Sequence, residues 1–95
     1  MRLTFEGDLW LFDNGSWHFV SVPLDQSDDL REEMAGRTGG FGSIRVEATI
    51  GDTTWQTSVF PAKTGEYVLP VKAQVRKAED LAEGDRARVS LTTLL

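Results

Sequence analysis

GEYVLPVKAQVRKAEDLAEGDRARVSL, residues 65–91, is the stretch whose reading decides the fold. It opens on EYVL (66–69), whose β-branched and aromatic residues predict a strand. Pro70 follows, and a proline suits the first turn of a helix, where its missing N–H costs nothing. Val71, Val75, Ala78 and Leu81 then recur at helical spacing, with Lys72, Arg76 and Lys77 on the wet side. Gly84-Asp85 closes that helix, and RARVSL (86–91) resumes alternation with Ala87, Val89 and Leu91 directed inward. The segment is predicted as strand, proline, short amphipathic helix, Gly-Asp, strand.

The preceding residues run in a similar order. RLTFEGDLWLF (2–12) alternates, with Gly7-Asp8 as a bulge or tight turn. Asn14-Gly15 is a hairpin signal, and SWHFVSV (16–22) is the return strand, with Trp17 and Phe19 on one face and His18 and Val20 on the other. After Pro23, DQSDDLREEMAG (25–36) predicts a helix capped by Asp25 or Ser27, with Leu30 and Met34 facing the core and Gly36 ending it. RTGGFG (37–42) is a turn. SIRVEATI (43–50) is a strand with Ile44, Val46, Ala48 and Ile50 inside, GDTT turns the chain, and WQTSVF (55–60) is a strand stopped by Pro61.

Gly7-Asp8 matches Gly51-Asp52, Trp10 matches Trp55, Gly15 matches Gly65, Pro23 matches Pro70, and IRV (44–46) matches ARV (87–89). The 95 residues are thus expected to form a single domain of two repeats, about 1–47 and 48–95. A strand-strand-helix-strand unit cannot bury its apolar face alone. Two such units related by a pseudo-twofold close a barrel and remove exposed edges. The expected fold is all-β, a six- to eight-stranded barrel with two short helices. One chain then suffices as a monomer, and edge pairing gives at most a weak homodimer.

The segment 65–91 resembles the signature of the AbrB/MazE/SpoVT swapped-hairpin family: strand, proline, helix with a basic residue, Gly-Asp, strand. WHFVSVP (17–23), GGFGSIRVEATIGDTTWQTSVFP (39–61) and GEYVLPVKAQVRKAEDLAEGD (65–85) together resemble an uncharacterised prokaryotic family of unknown function classed with the double-split β-barrels, several of whose members are fused to a bacteriocin-protection-type domain. That resemblance implies a fold and no activity.

Composition narrows the function classes. The absence of cysteine removes disulfides, thiolate metal sites and a cysteine nucleophile. A net charge of −5 weighs against general binding to a phosphate backbone. No apolar run reaches the length of a spanning helix, and MRLTFEGDLWLFDNG (1–15) lacks a signal-peptide core, so a cytoplasmic protein is expected. His18 is the only histidine and no nucleophile-elbow motif accompanies it, so it reads as a strand residue with a packing or hydrogen-bond role. DQSDDLREE lacks the glycine and spacing of a calcium loop, and GGFGSI precedes a strand, not the helix a phosphate loop needs. No metal, cofactor or catalytic residue is expected. A hydrolase using paired carboxylates is the weakest alternative, because Glu32-Glu33 and Glu79-Asp80 fall on helix surfaces.

The remaining candidates are basic. Lys72 and Arg76 share a helix face; Arg37 and Lys63 lie in glycine-containing loops; Thr57 and Ser58 adjoin the end of a strand. Their convergence would bind an anionic small molecule or an acidic protein partner. A second stripe, Arg45, Arg86 and Arg88, lies on outward strand positions, where AbrB-type resemblance implies DNA binding or antitoxin-like regulation. Large aromatics usually fill small barrels, so Trp17 and Trp55 are expected in the core, with Trp10 beside a hairpin. The expected function is a non-enzymatic binding or interaction domain.

Overall fold

The computed structural model describes residues 1–12 and 15–94. Asn14, half of the predicted hairpin signal, lies outside them. Among the described residues flanking it, Phe12 N–H donates to Trp17 O at 2.9 Å.

The most regular part is the hairpin of β4 (Ile44–Ile50) and β5 (Thr53–Pro61). Its two-residue turn is Gly51-Asp52, with Gly51 at φ +58, the left-handed conformation that a type II′ turn needs at its first position. Pairing runs from Ile50↔Thr53 to Ile44↔Val59. Ile44, Val46, Ala48 and Ile50 are buried, as the alternation predicts, and Trp55 and Val59 join them from β5.

Among the described residues the sheet has seven strands in the order β1-β7-β4-β5-β6-β3-β2. The others are β1 (Arg2–Asp8), β2 (Trp10–Leu11), β3 (His18–Ser21), β6 (Tyr67–Pro70) and β7 (Arg86–Thr93). All pairings are antiparallel. The two ends of this order, β1 and β2, are consecutive in the chain and separated only by Leu9. The sheet therefore curls into a nearly closed barrel. Leu9 N–H donates to Asp85 O and Leu9 O accepts from Gly84 N–H, both at 2.8 Å. β1 passes close over β3, where a Cβ on Gly7 would come within 2.9 Å of Val20 Cγ1; only glycine fits this approach.

Helix α1 (Leu24–Glu33) places Leu30 in the core, with Met34 just beyond its end, as predicted. Its start differs from expectation. The N-cap is Pro23, without a side-chain cap. Ser27 instead lies one turn inside and fully buried, donating to Val22 O at 3.0 Å and accepting from Tyr67 N–H at 2.9 Å. The hydroxyl stitches α1 to β6.

Helix α2 is shorter than predicted, spanning only Ala73–Ala78. Pro70 ends β6, where it pairs with Phe19, and does not start the helix. Val71 stays in the core and bonds through its N–H to His18 O, so its helical spacing to Val75 is a coincidence of burial. Lys72 is the N-cap. The helix stops because Asp80 adopts φ +54: Asp80 N–H reaches Lys77 O and Leu81 N–H reaches Arg76 O, the paired bonds of a Schellman end. Ala78 is consequently exposed and Leu81 half-buried.

Val20 sets the inner face of β3, which turns Trp17 and Phe19 outward. Trp17, expected in the core, is 60% exposed and stacks on Phe19 at 6.0 Å between centroids; Trp55 is buried and Trp10 half-buried. Nor do the two Gly-Asp pairs take equivalent places, since Gly7-Asp8 ends β1 whereas Gly51-Asp52 is a hairpin turn. Trp10 and Trp55, matched in the sequence, also differ: Trp10 pairs with Phe19 in the β2–β3 hairpin, whereas Trp55 pairs with Ala48 across β4–β5.

Candidate functional site

β3, β4, β5 and the start of α2 surround an open cavity of about 520 Å³. Arg45 and Ser58 face each other across the β4–β5 ladder, and Arg45 Nη1 donates to Ser58 Oγ at 3.3 Å. Thr57 and Gln56 continue the same wall. Trp55 and Phe60 line it from the same strand, and Trp17 from the segment just before β3. Lys72 stands at the N-cap of α2, and Arg76 follows one turn on. Arg76 Nε donates to Val71 O at 3.1 Å, which holds the guanidinium at the rim and leaves its two Nη groups without a partner among the described residues.

His18 also lines the cavity. Its Nδ1 lies 3.0 Å from Ser16 O; a carbonyl can only accept, so Nδ1 is the donor and the ring is held against the 16–18 backbone.

The electrostatics are one-sided. Among the described residues, three cationic side chains and no carboxylate line the cavity, in a chain whose net charge is −5. Among the same residues none of Arg45, Lys72 and Arg76 forms an ion pair. On other faces Arg31, Arg86 and Arg88 are matched by carboxylates. Arg31 bonds Asp28 at 2.8 Å, donates to Gly65 O and lies over the Tyr67 ring. Arg86 bonds Glu6 at 3.1 Å and Asp8 at 3.3 Å. The Glu6 hydrogen bond is the main reason that Arg86 holds its proton more tightly than usual; desolvation opposes it and Asp8 adds to it.

Of the six residues singled out as an anion site, Thr57, Ser58, Lys72 and Arg76 line this cavity. Arg37 and Lys63 do not: Arg37 follows α1, and Lys63 projects from the 62–66 loop between β5 and β6. The predicted stripe Arg45, Arg86, Arg88 divides. Arg45 belongs to the cavity, while Arg86 and Arg88 lie on β7 opposite Glu6 and Asp8 of β1. His18 and Arg45 are cavity residues that sequence reading placed elsewhere. Arg45 could have been found, because a two-residue turn at Gly51-Asp52 fixes it opposite Ser58. Among the described residues no three His, Cys, Asp or Glu side chains gather in a metal-binding cluster, and no helix is long and apolar enough to cross a membrane.

The family model of DUF1905, a domain of unknown function, matches residues 5–91. The chain belongs to that family. The match spans every strand and both helices, from within β1 to within β7, and so includes all the residues that line the cavity. No curated protein matches the chain.

Proposed function

We propose that the domain is a non-enzymatic binding module of a cytoplasmic, prokaryotic protein and that it takes an anionic ligand in the cavity between β3, β5 and α2. One observation carries the reading: Arg45, Lys72 and Arg76 converge without a carboxylate partner among the described residues of an acidic chain. Gathering like charges disfavours folding, and an anion bound among them relieves that cost. The Thr57 and Ser58 hydroxyls and the Gln56 amide add neutral hydrogen-bonding groups, and Trp17, Trp55 and Phe60 supply apolar walls. The absence of any Asp or Glu from the described lining leaves a carboxylate-based hydrolase without its acid and base there. Pairing of Arg86 and Arg88 with Glu6 and Asp8 weakens the DNA reading, because those arginines are already neutralised.

The two-unit, double-split architecture and the AbrB-like relationship belong to the same proposal. Strand pairing supports it. β1 pairs with β7 as β5 pairs with β4, β2 pairs with β3 as β5 pairs with β6, and β3–β6 and β4–β7 join the units. In this scheme β1 and β2 together stand for the unbroken β5.

An NMR titration of backbone amides with pyrophosphate and with citrate tests the site. Expected are shifts confined to residues around Arg45, Thr57, Ser58, Lys72 and Arg76, abolished in Arg45→Gln/Arg76→Gln. Shifts centred on Arg86 and Arg88, or none at millimolar ligand, would refute it.

A further inference from the structure

A strand that buries one face usually puts polar residues on the other. The outer face of β2, β3, β6 and β5 breaks this rule. Trp10 and Phe19 lie 5.1 Å apart between centroids, Phe12 meets Phe19 edge-on at 6.1 Å, and Trp17 stacks on Phe19. Phe60 stands on β5, across the ladder from Val68. Phe12 is 54% exposed, Trp17 60% and Phe60 39%, so the group is a surface and not a second core. Phe12, Trp17, Phe19, Phe60 and Val68 enclose a trough of about 310 Å³, with no charged residue among the described ones in its lining. Trp17 and Phe60 also line the cationic cavity, so the two hollows share a wall.

We propose that trough and cavity together form a docking groove for an extended peptide segment that carries an acidic residue next to a bulky apolar one. The acid meets Arg45, Lys72 and Arg76, and the apolar side chain crosses the Trp17–Phe60 ridge into the trough. This rests on the anion-binding reading of the cavity. Charge complementarity and the shared ridge select the occupant. A compact anion fills the cavity and leaves the trough bare. Single-stranded nucleic acid needs a phosphate track alongside its stacked bases, but here every described lining cation lies on the cavity side of the ridge. A second copy docked face to face brings the two cationic cavities towards each other, and like charges oppose that contact.

Fluorescein-labelled, acetylated hexapeptides with Phe-Leu beside Asp-Glu, in either order, test the inference by anisotropy. The controls replace Phe-Leu by Ser-Ser or Asp-Glu by Asn-Gln. One parent peptide is expected to bind at least about tenfold more tightly than both its controls. Phe12→Ser, which lines only the trough, should weaken the parent peptide about tenfold and leave the pyrophosphate titration unchanged; Arg76→Gln should weaken both. Thermal melts confirm that each variant is folded. If the Ser-Ser control binds as well as its parent while pyrophosphate still titrates the cavity, the peptide inference fails and the anion reading stands. If pyrophosphate does not bind and the Asn-Gln control matches its parent, the anion reading fails and the inference with it. Oligothymidine binding more tightly than the peptides, with loss in Arg76→Gln, overturns the inference in favour of nucleic acid. Self-association that buries Trp17 and excludes peptide, seen by light scattering, overturns it in favour of a second copy.

Discussion

Thr53 Oγ1 donates a 2.6 Å hydrogen bond to Glu79 Oε2, joining the first residue of β5 to the residue that ends α2. The same carboxylate covers the β4–β5 turn, and a Cβ added to Gly51 would run into Glu79 Oε1. Gly51 also sits at φ +58. Gly51→Ala should therefore destabilise the fold by about 1–3 kcal/mol, from backbone strain and loss of the Thr53 bond. Urea denaturation measures it. In a Glu79→Ala background the steric part should vanish and about 1–2 kcal/mol of backbone strain should persist.

Ser27 is the polar tie inside the core. Ser27→Ala removes the acceptor for the buried Tyr67 N–H and the donor to Val22 O. A loss of about 1–3 kcal/mol is expected, seen as a lower urea midpoint with an unchanged slope.

Asp80 ends α2 in a left-handed conformation that glycine adopts freely. Asp80→Gly should raise stability by up to about 1 kcal/mol, while Asp80→Val should lower it. Thermal unfolding of the two variants checks the opposite signs.

The tryptophans separate by location. Trp55→Ala should cost about 3–5 kcal/mol, because the indole is buried at the cavity floor. Trp17→Ala should cost under about 1 kcal/mol, because the ring is exposed and stacks only from outside. Equal costs would contradict the assigned faces of β3 and β5.

Much of the fold is legible in the sequence because its signals are local. Gly51-Asp52 between two alternating strands fixes a hairpin and its register, and Leu30 with Met34 fixes the inner side of α1. What escapes is set by tertiary competition. Val71 and Val75 are four apart, yet only Val75 is helical, since Val71 is held extended by its bond to His18 O. The bulk of Trp17 suggests core, but strand parity follows Val20 and turns the indole out. Lys63 and Lys72 look alike as basic residues near a strand end. Only the path of the 62–66 loop, closed by Ala62 N–H to Glu66 O and tied to α1 by Arg31, takes Lys63 away from the cavity. The outer aromatic face is invisible until the neighbours of β3 are known.

Arg45 comes from β4, while Lys72 and Arg76 come from the start of α2, so the cluster exists only when the barrel is assembled. An anion that touches both elements acts as a strut between parts of the chain that separate on unfolding. Occupancy is then converted into heat resistance that grows with the logarithm of ligand concentration. Melting temperature thereby becomes a direct gauge of how well any given anion fits between the strand and the helix.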